Sequence, residues 1–247
     1  MEDSRNVDET SPTAILRLDS VRWTESMPVN EGKEGDPMAR SASSAAAGGN
    51  AWQWSRTAET RRVLLNAARE VFCEQGFAEA SIAGVVERAG SSVGSLYHHF
   101  GGKTELFLAL WEEHQAAHEQ NAVTAVAAAR AAGEGEDPLD LFVVGARAFL
   151  EGSWQRRDLA RLFMDGDGPP GFELVRRTRS REWVRQNAVL LGAGIDSVDR
   201  LTVAVLTTII GEAGREIATC PNKRQANKIT EAAIVLIRRL GSPGQDT

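Results

Sequence analysis

Beyond residue 55, apolar residues recur at every third or fourth position in one segment after another, with glycine and proline between the segments. That period belongs to helices that each bury one stripe, so the expected fold class is all-α. Val63, Leu64, Ala67, Val71 and Phe72 share one face of a first helix, and Gly76 is placed to end it. Ser81 is a candidate N-cap for a short second helix carrying Ile82, Val85 and Val86. Ala89-Gly90 ends that helix, and Ser92 caps a third running from Val93 to about His99. After Gly101-Gly102, Lys103-Thr104-Glu105 opens a long fourth helix through Leu106, Leu110 and His114. Further helices are expected over 138–154, 159–164, 172–191, 197–219 and 221–240. The β-branched run 203–210 could be written as a strand, but it would have no partner strand, so helix is expected.

The chain of 247 residues is long enough for a substantial core. Residues 1–54 differ in kind. They hold five Lys/Arg against nine Asp/Glu, are rich in Ser, Gly, Asn and Ala, and keep no period. They are read as a disordered acidic leader, with Trp52 and Trp54 packing on the first helix. Met38 is an alternative natural start. The leader lacks a basic start followed by an apolar core, and no apolar run is long enough to span a bilayer. A cytoplasmic protein with no membrane partner is the expectation. Cys73 and Cys220 are too few for a disulfide framework and are expected to be reduced, core or near-core residues.

The net charge of −6 excludes the simplest footprint of a nucleic-acid binder, a basic chain. Any such activity must therefore rest on a local surface, and residues 81–103 offer one. Two short helices around Gly90 make a helix-turn-helix, and no acidic side chain occurs between Gly90 and Thr104. Ser92, Ser95, Tyr97, His98 and His99 bring hydrogen-bonding groups, and Gly94 lets the backbone approach a partner. Val93, Leu96 and Phe100 are read as the residues that anchor the helix to its own domain. Lys103, at the start of the fourth helix, suits one phosphate. Residues 55–105 are neutral, with six basic and six acidic side chains, so the carboxylates must point away from the binding face.

Residues 60–114 resemble the DNA-binding domain of the TetR family of transcriptional regulators. The resemblance is carried by Arg62, Leu64, Ala67-Ala68, Phe72, Gly76-Phe77, Ser81-Ile82, Val86, Ala89 through Phe100, Lys103 and Leu106. Ser91 stands where a valine or isoleucine is usual, and the leader is longer than the family needs. The resemblance implies a helix-turn-helix domain over 55–105 and an effector-binding and dimerisation domain over 106–247. It implies that Ser92, Gly94, Ser95, Tyr97, His98 and His99 face a major groove or its phosphates, with Ser81 and Lys103 on the backbone. A homodimer on a palindromic operator follows, with Leu206, Ile210, Gly214, Ile217, Ile229, Ala233, Leu236 and Leu240 at the dimer interface. The function implied is a repressor released by a small-molecule effector, with an activator or a partner-controlled regulator as the alternative.

His118, Phe142, Phe149, Trp154, Phe163 and Trp183 are candidates to line the effector pocket, with Gln186, Asn187 or an arginine as further polar contacts. No cofactor is expected. His114 and His118 share a helix face at a spacing that could chelate a metal, but two solvated histidines on a polar face, or one hydrogen-bonding a ligand, are preferred. The stripe Arg177, Arg181, Arg185 is read as a solvated face paired with Glu173 and Glu182, over a cationic rim for an acidic effector. Gly90-Ser91-Ser92-Val93-Gly94 matches the hydrolase nucleophile elbow Gly-x-Ser-x-Gly, but helix rather than strand is expected before it. An enzyme is therefore not expected.

Overall fold

A computed structural model describes the backbone over residues 40–133, 137–164 and 166–241, and side chains from residue 56 onward. Nine helices and no strand occur among the described residues: α1 (Arg40–Glu79), α2 (Ile82–Arg88), α3 (Val93–Phe100), α4 (Lys103–Ala131), α5 (Pro138–Gln155), α6 (Arg157–Met164), α7 (Phe172–Leu190), α8 (Ser197–Thr219) and α9 (Lys223–Gly241). The chain divides into two units, Met1–Trp52 and Gln53–Thr247, and the second is described below. Helix α1 begins at Arg40, inside the stretch assigned to the leader on composition. The rest of that leader, and the side chains of Trp52 and Trp54, lie outside the described residues.

The helix ends follow from local chemistry. Ser81 Oγ accepts the Gly84 N–H and Ser92 Oγ accepts the Ser95 N–H, both at 3.1 Å, so the two predicted caps form. Gly76 takes φ 78°, which breaks the helical run of α1 as expected. The position its Cβ would occupy lies against the Asp167 carboxylate, so a side chain there would also displace that group. Asp137 caps α5 and Asp196 caps α8. Asn222 Oδ1 accepts the Gln225 N–H at 3.0 Å, so Asn222 caps α9 and Pro221 precedes the helix rather than opening it. Residues 203–210 are helical within α8.

Two large apolar clusters hold most of the unit together, and a small third one joins Val126 and Ala129 of α4 to Leu141 of α5. The first joins Leu64, Phe72, Val85, Leu96, Phe100, Leu106, Phe107 and Leu110 to Leu159, Phe163 and Phe172. Phe107 lies at its centre, with ring centroids 5.6 Å from Phe72, 5.3 Å from Phe163 and 5.0 Å from Phe172. Helix α6 and the start of α7 thus pack into the core of α1–α4. The second cluster is built by α5, α8 and α9 through Phe142, Leu150, Leu206, Ile217, Ile234 and Ile237. Cys220 is buried in it, whereas Cys73 is exposed, against expectation, with its thiol 3.9 Å from the Asp158 carboxylate.

Candidate nucleic-acid interface

Helix α3 is fixed from beneath by Leu96 and Phe100, which are buried in the first cluster. Its other face is open. Ser92, Gly94, Tyr97 and His98 are exposed, and Ser95 and His99 are half-buried. Tyr97 is 52% exposed and is therefore not a packing aromatic. Val93 departs from expectation. It is 47% exposed, because the first turn of α3 extends beyond the helices that cover Leu96 and Phe100. The His99 imidazole is held below its usual pKa by burial, then by His98 and Arg61.

The basic residues around α3 are mostly engaged. Arg88 pairs with Glu74 at 2.8 Å and with Glu70 at 3.3 Å, and Arg62 forks onto Glu59 at 2.9 and 2.6 Å. Three carboxylates of the neutral domain are thus neutralised locally. The Arg61 guanidinium lies 5.0 Å from the Phe100 ring centroid, beside the base of α3. Sequence reading missed this residue, and only the i, i+1 doublet Arg61-Arg62 could have signalled it. Lys103 also departs from a simple phosphate role. Its Nζ donates to the carbonyls of Ala80 at 2.7 Å and Ala78 at 3.0 Å, and sits 4.7 Å from the Phe77 ring. One of its three protons remains for an external acceptor. Ser81, exposed, follows directly on this clamp.

At Ser92 the geometry of a nucleophile elbow is absent. The preceding residues are helix α2 and a turn, and Ser92 is a helix cap.

The expected pocket residues are distributed between the two larger clusters. Phe163 belongs to the first cluster, while Phe142 is buried in the second with Trp154 against it. His118, Phe149 and Trp183 do come together, with ring centroids 4.4 Å and 5.7 Å apart in sequence along the row. His114 and His118 are 4% and 2% exposed, so the expected solvated polar face is wrong. The residues Leu106, Leu110, His114 and His118 continue one stripe at four-residue spacing, and the histidines follow it inward.

Burial pushes the pKa of His118 down to about 4 and that of His114 well below its usual value, with Arg156 adding to both. Arg156 Nε donates to His114 Nδ1 at 3.4 Å, while His118 Nδ1 has no hydrogen-bond partner. Gly152 makes this approach possible, since a Cβ there would stand 3.1 Å from that nitrogen. No group of three His, Cys, Asp or Glu side chains suited to a metal occurs among the described residues. A groove of about 490 Å³ opens between α4, α5 and α9, walled by Ala125, Val144 and Ala148 and by the polar Arg147, Glu151 and Glu231. None of the six expected pocket residues lines it.

Along α7, Arg177 pairs with Glu173 at 3.7 Å, and Arg179 bridges Glu119 at 2.7 Å and Glu182 at 3.1 Å. Gln186 donates to Glu119 and Asn187 to Thr207, so both expected polar contacts are used inside the chain. Of the residues expected between subunits, Leu206, Ile210, Gly214, Ile217 and Ala233 are buried within the single chain and Ile229 is half-buried. Leu236 and Leu240 alone of that set are exposed, alongside Val198, Leu201, Val205 and Val235 on the same two helices.

Residues 64–110 match the family described as bacterial regulatory proteins, tetR family. The HTH-type transcriptional repressor AcnR of Corynebacterium efficiens is 43% identical over 54 residues, 22% of this chain and 29% of AcnR. The HTH-type transcriptional activator FasR of Mycolicibacterium smegmatis is 45% identical over 56 residues, 23% of this chain and 26% of FasR. The match therefore spans less than a third of the length of these relatives. A transcriptional regulator from Rhodococcus sp. Rha1 shares the fold over 73% of this chain and 95% of its own, with a TM-score of 0.58 and 20% identity. No described helix is long and apolar enough to cross a membrane.

Proposed function

We propose, from the premise that residues 64–110 are a tetR-family regulatory domain, that this chain is a DNA-binding transcriptional regulator acting as a homodimer. In this reading it is a repressor that a small molecule releases from a palindromic operator. One observation carries the DNA-binding part. Helix α3 is anchored by Leu96 and Phe100 and turns a face free of acidic side chains to solvent through Gly94, Tyr97 and His98. Two such helices about 34 Å apart enter successive major grooves. Regulation needs only that a ligand favour a bundle in which that spacing differs.

Two connections favour transmission from the bundle. Helix α4 runs unbroken from Lys103 beside α3 to the buried His118. Helix α6 takes the Arg69 fork on Asp158 at 2.7 and 2.8 Å and sends Arg161 to the Ala218 carbonyl at 2.6 Å. An activator is the second reading, favoured by the similarity to FasR in the domain itself. Tyr97→Ala tests the DNA assignment. It should abolish operator gel shifts at an unchanged melting temperature, and full retention of binding would refute it. A thermal-shift screen, followed by operator titration with each stabilising compound, tests the effector. The repressor reading requires a compound that both binds and lowers operator affinity.

A further inference from the structure

The recognition face lacks the side chains that read bases by paired hydrogen bonds. From Ser91 to Phe100 there is no Arg, Lys, Asn, Gln, Asp or Glu. Bidentate reading of guanine by Arg or Lys, of adenine by Asn or Gln, and acceptance from cytosine by an acid are all unavailable to α3. The remaining hydrogen-bonding groups are weakly discriminating. Ser92 Oγ already accepts the Ser95 N–H, Ser95 is half-buried, and hydroxyls serve any base. The imidazoles of His98 and His99 and the Tyr97 hydroxyl offer single hydrogen bonds rather than a paired set.

Against this background Val93 is out of place as a folding residue. It opens α3, lies 47% exposed, and belongs to none of the apolar clusters. A β-branched side chain in that position does not favour the helix. Its neighbour Gly94 is equally unexplained within the chain. A Cβ there would meet nothing within 4 Å, and its φ is not positive. Glycine weakens a helix and is required here neither by packing nor by conformation. What it does permit is close approach of an outside surface to the backbone beside Val93. A valine is too short to reach a groove floor unless the helix sits deep, so the two residues make sense together. Tyr97, one turn further along the same face, extends the exposed apolar strip.

We propose that this protein recognises its operator through thymine 5-methyl groups, with Val93 as the contacting side chain and Gly94 as the residue that lets α3 sit deep enough for the contact. The inference rests on the DNA-binding reading above. The C5-methyl of 5-methylcytosine has the same chemistry in the major groove, and an unmethylated target distinguishes the two.

The test begins by enriching an unmethylated pool of randomised duplexes on the full-length protein. Each invariant thymine of the enriched site is then replaced singly by deoxyuridine, which removes only the methyl. Competition gel shifts compare wild type with Val93→Ala. Removing one methyl from contact should weaken wild type about fourfold, from roughly the transfer value of one buried CH₂. Val93→Ala should weaken binding to the thymine duplex comparably, show no further loss with deoxyuridine at that position, and melt no lower than wild type. Indifference of wild type to every deoxyuridine overturns the proposal, as does a variant that keeps the full penalty. Enrichment only from a pool made with 5-methylcytosine also overturns it, by moving the source to methylated cytosine. Enrichment from neither pool sinks the DNA-binding reading itself, so the two failures are distinguishable.

Discussion

Lys103 can act in two ways that make opposite predictions, and Lys103→Met separates them. Its ammonium donates to the Ala80 and Ala78 carbonyls at 2.7 and 3.0 Å and lies 4.7 Å from the Phe77 ring. These groups form the joint between the end of α1 and Ser81, the cap of α2. A hydrogen bond to a charged group contributes about 1.5–3 kcal/mol when well shielded. Lys103 is half-exposed and the Ala78 contact is at the surface, so the lower end applies to one bond and less to the other. Loss of the clamp should then cost about 2–3 kcal/mol, including roughly 0.5 from the aromatic contact. For a domain of this size that is a fall in Tm of roughly 4–12 °C. A side chain that served only a phosphate would leave Tm unchanged. It would instead reduce the slope of log Kobs against log salt by about 0.9 per protomer. Differential scanning calorimetry and a salt series of operator titrations read the two quantities on the same variant. An unchanged Tm with a reduced slope would refute the clamp.

Gly76→Ala should lower stability by roughly 1–3 kcal/mol, since the residue sits at φ 78° and its Cβ would press on Asp167. Because the Asp167 carboxylate also accepts the Ala78 N–H, backbone strain is isolated by introducing Gly76→Ala into an Asp167→Ala background, and no further loss there in urea melts would show that strain is not at issue. Stability should also fall on acidification. The native His118 pKa is about 4 against an unfolded value near 6.5, so below pH 6.5 the unfolded chain binds a proton that the folded chain rejects. Stability should therefore be complete above about pH 6.5 and decline by about 3 kcal/mol as pH falls to 4. Urea midpoints for His118→Phe should decline less over that interval, and parallel curves would rule out this histidine as the origin.

What was legible in the sequence is what short-range chemistry decides. Ser81, Ser92 and Gly76 act within three residues of themselves, and each behaves as its local pattern requires. Leu96 and Phe100 were legible for the same reason. Val93 was not, although it falls on their helical spacing, because spacing gives the face and not how far the covering helices extend. The histidines of α4 failed differently. Residue type suggested water, while the stripe from Leu106 through Leu110 led inward, and tertiary packing followed the stripe. On α8 and α9 apolar residues also occur outside the buried stripe. Nothing local could say that Leu206, Ile210 and Ile217 would turn to the chain's own core while Leu201, Val205 and Leu236 stayed outside.

The apolar cluster beneath α3 runs across the boundary expected at residue 105. Sequence motifs stop near there, but the apolar cluster that supports α3 does not: it takes Leu159, Phe163 and Phe172 from beyond it. Polar contacts cross at the same place, with Arg69 on Asp158 and the Ala78 N–H on the Asp167 carboxylate at 3.1 and 3.2 Å. Ala78 is also one of the two residues that Lys103 holds. The end of α1, the cap of α2 and the start of α4 thus share one joint with the segment that follows α6. Helix α6 is tied in turn to the end of α8 by Arg161. A close-packed joint of this kind responds by shifting as a unit rather than by bending locally. Motion at the end of α8 would therefore reach α3 through α6 as directly as through the length of α4.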